Sequence, residues 1–154
     1  MAASDWMNAR TWIVLADAAT AKLYQPQASG RDWQLISELT HPQSRAKESE
    51  LGTDKPGRVK QSTGSRAAME PPTPRKEVEI EKFAREIAKA LDDALVRKAY
   101  GRLVLVAPPE FVGILRKLLS ERVERCIATT VEKDYLHLDL PEARERLEHQ
   151  LEAR

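Results

Sequence analysis

The chain has 154 residues, about one domain by length, and 42% of them are hydrophobic, enough for one core. Its 25 Lys and Arg residues nearly balance its 24 Asp and Glu residues, so the net charge of +1 excludes a protein that is basic all over. The single cysteine, Cys126, excludes an intrachain disulfide and is typical of a reducing compartment.

The N-terminal part predicts three strands. Residues 11–16 form an apolar run without alternation, which is typical of a strand buried on both faces. Residues 22–25 end at Pro26 and predict a second strand. Residues 33–39 alternate and predict a third, with one face formed by Trp33, Leu35, Ser37 and Leu39. The short connections favour an antiparallel meander.

Residues 41–76 interrupt this periodic pattern. They hold five of the nine prolines and three of the six glycines. They also hold eight basic and four acidic residues, so the segment carries +4 while the remaining 118 residues carry −3. A stretch this long and polar inside a small domain predicts a flexible insert, either functional or disordered.

The C-terminal half alternates helices and strands. The pattern predicts helices over 76–99, 109–119 and 141–151, strands over 102–107 and 127–133, and a helix cap at Gly101. The chain over residues 1–154 is therefore predicted to be a single α/β domain with a mixed sheet in the order β-β-β-α-β-α-β-α. Residues 11–16 and 103–107 are expected side by side at its centre, with their ends at Asp17 and Pro108 opening onto a ligand crevice.

Few residues favour enzyme chemistry. The three histidines lie far apart without zinc-site spacing, and Ser44 lies near His41 without a nucleophile elbow, so no catalytic residue, metal or cofactor is predicted. One alternative is a metal-dependent phosphoesterase in which Asp17 and Asp134 face the same sheet edge. The other interpretation is that Asp17 caps a turn and Asp134 ends a strand.

The insert favours a different chemistry. Its cations alternate with small and hydroxyl residues, a pattern that can follow a phosphate backbone because electrostatic contact needs little geometric precision. Solvation of a disordered loop is the competing interpretation. The residues predicted to bind RNA are Arg45, Lys55, Arg58, Lys60 and Arg66.

Several segments together resemble a known family, the bacterial host attachment proteins, described as required for attachment to host cells. These segments include the run from Trp12 to Ala18, His41 to Arg45, Lys55 to Arg58, Leu103 to Pro109, and Lys133 to His137. The resemblance extends from about Trp12 to Leu147. It draws attention to the crevice and the insert base, where we expect Asp17, His41, Ser44, Asp134 and His137.

That family is in turn similar to the central domain of the class I peptide-chain release factors of archaea and eukaryotes, a ribonuclease H-like fold. The resemblance implies a link to the ribosome. Release factors carry a Gly-Gly-Gln tip where this chain has its insert, but the insert contains no Gly-Gly-Gln. Peptidyl-tRNA hydrolysis is therefore not expected.

The leading hypothesis is a non-enzymatic domain that contacts RNA or the ribosome through its insert. The alternative from another class is a protein-interaction or adhesion-related factor without RNA binding. The apolar run near the N-terminus is too short for a signal peptide or membrane span, so we expect a cytoplasmic protein without a membrane partner. The exposed remainder of the long helix is a candidate homodimer surface.

Overall fold

A computed structural model of the protein describes residues 10–27, 32–41 and 74–152. The strands are β1 (Thr11–Ala16), β2 (Thr20–Pro26), β3 (Trp33–Thr40), β4 (Arg102–Val106) and β5 (Ile127–Val131). The helices within the described residues are α1 (Pro74–Val96), α2 (Pro109–Leu118), α3 (Glu121–Cys126) and α4 (Leu140–Glu152). The strands form one mixed sheet in the spatial order β3-β2-β1-β4-β5.

Strand β1 lies at the centre of the sheet, as its unbroken apolar run predicts. It pairs antiparallel with β2 and parallel with β4, and all six of its residues are buried. Trp12 and Val14 point into one core cluster, whereas Ile13 and Leu15 point into the other. The predicted adjacency of residues 11–16 and 103–107 is confirmed by this parallel pairing.

Helices cover both faces of this sheet. Buried side chains of α1, α2 and α3, among them Phe83, Leu115 and Val123, pack with the first cluster. Ala143 and Leu147 of α4 pack with the second. None of the helices in the described ranges is long and apolar enough to cross a membrane.

The predicted face of β3 is wrong, because a β-bulge interrupts its register with β2. Tyr24 pairs with Leu35, but the preceding Leu23 pairs with Ser37, so Ile36 is an extra residue. An extra residue exchanges the two faces of a strand beyond it. As a result, Trp33 packs in the second cluster and Leu39 against the first.

Two helix predictions also need correction. The long helix ends at Val96, and its C-terminal turn contains Lys98 at φ 64, so the left-handed position falls on a lysine rather than on Gly101. Gly101 instead lies against Arg10, whose Nη2 would be 3.1 Å from an added Cβ. The six-residue helix α3 is absent from the predicted order, because six residues are too few to show a helical period.

Candidate functional site

An open cleft lies at the edge of the sheet where β1 and β4 end. Its volume is about 500 Å³, and it runs between the β1–β2 turn, the first turns of α1 and the start of α2. Its apolar lining is formed by Ala18, Ala19, Ile80, Pro108, Phe111 and Ile114. The sequence predicted a crevice at Asp17 and Pro108, and both residues line it.

Asp17 serves the turn that forms one wall of this cleft. Its Oδ1 accepts hydrogen bonds from the backbone N–H groups of Ala19 at 2.9 Å and Thr20 at 2.8 Å. The Asp17 N–H in turn donates to the Thr20 carbonyl at 2.8 Å. The geometry therefore matches the turn-capping interpretation, in which the carboxylate orders the β1–β2 turn.

Two further carboxylates line the cleft, one from each of two helices. Glu77 lies in the first turn of α1 and Glu110 in the first turn of α2, and both are exposed. Negative charge near a helix N-terminus is favourable because of the helix dipole. Among the described residues that line the cleft, three are carboxylates and none is cationic, so this part of the rim is acidic.

Both helices that open onto the cleft begin with proline. Pro74 is the first residue of α1, and α2 begins at Pro109 after Pro108 in the N-cap position. Proline has no backbone N–H, so these helix ends present fewer donors than an ordinary N-terminus. Helix N-termini often bind phosphate through such donors. Missing donors and nearby carboxylates together disfavour an anion in this cleft.

His41 joins the end of β3 to α1 beside the cleft. Its Nε2 donates to Glu79 Oε1 at 2.8 Å, and its Nδ1 lies 3.7 Å from Glu86 Oε2. Its ring stacks on Phe83 with centroids 5.7 Å apart, and its backbone N–H donates to the Ala19 carbonyl at 2.8 Å. The hydrogen bond from His41, with the charge of Lys82, lowers the pKa of Glu79 below its usual value.

Asp134 and His137 belong to a different part of the fold. Asp134 Oδ1 accepts from the Leu136 N–H at 3.3 Å and lies 3.9 Å from His137 Nδ1. The neighbouring Tyr135 and Leu136 pack with the α4 face of the sheet, whereas Asp17 lines the cleft on the other face. No group of three or more His, Cys, Asp or Glu residues in the described ranges is arranged to hold a metal ion.

The remaining predicted residues lie outside the described ranges. These are Ser44 and the five predicted RNA-binding residues Arg45, Lys55, Arg58, Lys60 and Arg66. The structure does show where their segment is attached, since residues 42–73 leave after His41 and return at Pro74. Both attachment points lie near the cleft: His41 donates its backbone N–H to the lining residue Ala19, and Pro74 is one turn before the lining residue Glu77.

Three residues of this site were missed from the sequence: Glu77, Glu79 and Glu110. In the sequence, each is an ordinary acidic residue within two turns of a predicted helix start. Glu77 and Glu110 share one sequence signal: each follows, within one turn, a proline that begins a helix. Only the packing of α1 beside α2 brings Glu77 and Glu110 to one cleft, while Glu79 lies beside it in contact with His41.

Comparison with known protein families identifies the chain. The family model described as "Protein required for attachment to host cells" matches residues 12–147. The chain belongs to this host attachment family. The match covers the five described strands except for Thr11, and it includes the cleft, His41 and the segment between β3 and α1. No curated protein matches the chain. Family membership therefore associates the protein with attachment to host cells.

Proposed function

We propose that this host attachment family member is a non-enzymatic translation-associated domain that contacts RNA or the ribosome through the cations of residues 41–76. One observation carries the proposal: charge is segregated along the chain, with +4 in this segment and −3 in the rest. A locally basic segment on an acidic body directs a polyanion to that segment and away from the remaining surface.

The attachment geometry supports this proposal. His41 is the last described residue before positions 42–73, and α1 begins directly after them. The His41–Glu79 hydrogen bond of 2.8 Å holds His41 against the first turns of α1. The two residues that flank positions 42–73, His41 and Pro74, therefore lie near the same edge of the sheet.

The acidic cleft limits where RNA can bind. Asp17, Glu77 and Glu110 line the edge from which the segment departs, and like charge repels phosphate. We therefore assign phosphate contact to the cations of residues 41–76 and not to the carboxylates of the cleft. Arg45, Lys55, Arg58, Lys60 and Arg66 are the side chains to which we assign this contact.

The ribosomal part of the proposal rests on the release-factor resemblance. The mixed sheet with a long segment between its third strand and first long helix is compatible with a ribonuclease H-like, release-factor-like domain. The segment lacks the Gly-Gly-Gln tripeptide of release factors. We therefore propose that it binds RNA or the ribosome and does not hydrolyse peptidyl-tRNA. A ribosomal partner also requires the protein to be cytoplasmic.

Co-sedimentation with ribosomes from the native cell tests the proposal. We expect the wild-type chain to sediment with ribosomes and the variant Lys55→Ala, Arg58→Ala, Lys60→Ala, Arg66→Ala to remain mostly in the supernatant. A matched control removes four exposed cations elsewhere, through Arg85→Ala, Lys89→Ala, Arg97→Ala and Lys117→Ala. Equal sedimentation of the insert variant and the wild type contradicts the proposal.

The family description favours a second candidate, an adhesion-related factor without RNA binding. A direct adhesin must be present on the cell surface, whereas an RNA-binding protein affects attachment indirectly through gene expression. Fractionation of cells and surface labelling of the native protein distinguish the two. Protein found only in the cytosolic fraction contradicts the direct role and leaves the RNA proposal standing.

A further inference from the structure

We propose that the cleft between the β1–β2 turn, α1 and α2 binds a peptide segment of a partner protein in which basic residues adjoin a bulky apolar residue. The proposal concerns the described residues of the cleft alone, and it requires no RNA. The proposal rests on three features of the cleft: its volume and apolar floor, its carboxylates, and the construction of its helix ends.

The floor of the cleft fits an apolar side chain. Ile80 and Ile114 are half-buried in the chain alone, and they lie beside the buried ring of Phe111. A volume of about 500 Å³ is within the usual range for a ligand site. An apolar side chain seated here completes the burial of both isoleucines, which favours association.

The carboxylates specify the charge that accompanies this apolar side chain. Glu77 and Glu110 come from two different helices, so basic residues of one extended peptide can approach both. Among the described residues neither carboxylate makes an ion pair, whereas Asp17 already accepts two backbone hydrogen bonds. Recognition of the basic residues is therefore assigned to Glu77 and Glu110.

The helix ends disfavour the main alternative class of ligand, one that carries a phosphate. A phosphate-bearing ligand at the carboxyl edge of an α/β sheet normally uses N–H donors at a helix N-terminus. Here α1 begins at Pro74 and α2 at Pro109, and each has a glutamate in its first turn. Charge complementarity favours a cationic segment over a nucleotide or an RNA phosphate.

Fluorescence anisotropy with the full-length chain tests this inference. The probe is a fluorescein-labelled peptide of three arginines alternating with leucines. Two matched peptides replace the arginines by glutamate or the leucines by serine. We expect the arginine–leucine peptide to bind and each matched peptide to bind at least ten-fold more weakly, because one lacks the charge and the other the apolar contact.

Variants of the protein assign the binding to the cleft. Glu77→Gln with Glu110→Gln should weaken binding about three- to ten-fold, as expected for two exposed ion pairs. The matched control, Glu121→Gln with Glu132→Gln, removes the same charge and also includes a helix first-turn glutamate. Ile114→Ala should weaken binding as well, whereas Val96→Ala on the exposed surface of α1 should not.

Four results of these binding measurements would overturn the proposal. Equal binding of the glutamate peptide, or unchanged binding by Glu77→Gln with Glu110→Gln, removes the assigned recognition. Absence of binding at millimolar peptide does the same. If binding appears only when Lys55, Arg58, Lys60 and Arg66 are replaced by alanine, the chain's own cations occupy the cleft rather than a partner. Ribosome co-sedimentation is independent of all these outcomes.

Discussion

His41 and Glu79 connect the two ends of the segment on which the proposed function rests. His41 is the residue after β3, Glu79 lies in α1, and His41 Nε2 is 2.8 Å from Glu79 Oε1. Both side chains are largely buried, at 13% and 16% exposure. The same histidine ring stacks on Phe83 of the core. The base of the segment is therefore part of the folded domain.

Replacing Glu79 by alanine should destabilise the protein, most strongly near neutral pH. The pKa of Glu79 is lowered in the folded chain, chiefly by the hydrogen bond from His41. A lowered carboxyl pKa stabilises the fold above the unfolded value of 4.5, and this stabilisation is lost as the pH falls through the folded pKa.

Thermal unfolding of wild type and Glu79→Ala across pH 7 to pH 3 measures this effect. We expect a difference of a few degrees in Tm at pH 7 that shrinks on acidification. Glu81→Ala removes a carboxylate from an exposed Glu81–Arg85 pair on the same helix and should change little. A difference that grows towards acid pH would contradict the assigned role of the His41–Glu79 contact.

Asp17→Ala should lower the free energy of unfolding by about 1–2 kcal/mol, because two backbone N–H groups in the β1–β2 turn lose their acceptor. Asp17→Asn keeps an acceptor oxygen and should lower it less. Urea unfolding measures both variants. Asp93→Ala, which removes an exposed partner of Lys89, serves as the control and should have little effect.

The same Asp17 variants test the phosphoesterase alternative. If Asp17 only caps the turn, the Asp17→Asn variant should fold and should sediment with ribosomes as the wild type does. A metal-dependent phosphoesterase instead requires Mg²⁺ or Mn²⁺ binding to the wild-type chain that Asp17→Asn abolishes. Equilibrium dialysis distinguishes the two, and metal binding lost in Asp17→Asn would favour the phosphoesterase.

Tyr100→Phe should lower the free energy of unfolding by about 1–2 kcal/mol. The fully buried Tyr100 hydroxyl donates to the Leu91 carbonyl at 2.8 Å, and its ring stacks on Trp12 with centroids 5.0 Å apart. Phenylalanine keeps the stack but leaves the carbonyl without this donor. Because other contacts are unchanged, urea unfolding of the two proteins isolates the hydrogen bond.

The difference between Tyr100 and phenylalanine should depend on pH. Burial raises the pKa of Tyr100 above its usual value of 10.0. The stabilisation from a raised tyrosine pKa is present below the unfolded pKa and is lost as pH rises through the folded one. The advantage of wild type over Tyr100→Phe should therefore be constant from pH 7 to pH 9 and decrease above pH 10. A constant difference up to pH 11 would contradict this.

The central part of the fold could be predicted because its residues leave few alternatives. The unbroken apolar runs of β1 and β4 require cover on both faces, and this requirement places them side by side between helical layers. The bulge at Ile36 could not be predicted, since the alternation of residues 33–39 is equally compatible with a regular strand. Packing against β2, and not local sequence, determines where the extra residue lies.

The candidate site was predictable only as a location. Asp17 and Pro108 mark the ends of two central strands, so a crevice there follows from topology. The carboxylates of Glu77 and Glu110 are 33 residues apart in the chain and resemble ordinary helix-start acids. Their convergence depends on how α1 packs beside α2, which a periodic pattern does not specify. The sequence therefore could not predict that the sheet edge at the cleft is acidic, and the structure was needed to show it.

Ser120→Ala should destabilise α3 and its contact with α1. Ser120 Oγ accepts from the Val123 N–H at 3.2 Å as the N-cap and donates to Asp92 Oδ1 at 2.8 Å. The cost of a lost cap with a lost side-chain hydrogen bond is about 1–2 kcal/mol. Urea unfolding measures it, with exposed Ser37→Ala as the control. A loss no larger than that of the control would show that α3 does not depend on this cap.

The salt dependence of RNA binding should report how many insert cations contact phosphate. Each neutralised phosphate on a single strand contributes about 0.7 to the slope of log affinity against log salt. Replacing Lys55, Arg58, Lys60 and Arg66 by alanine should therefore reduce that slope by up to about 3, as well as weakening binding at low salt. Filter binding of ribosomal RNA from 50 to 200 mM salt measures the slope. If affinity falls but the slope is unchanged, the four cations do not contact phosphate and the proposed mode of binding is wrong.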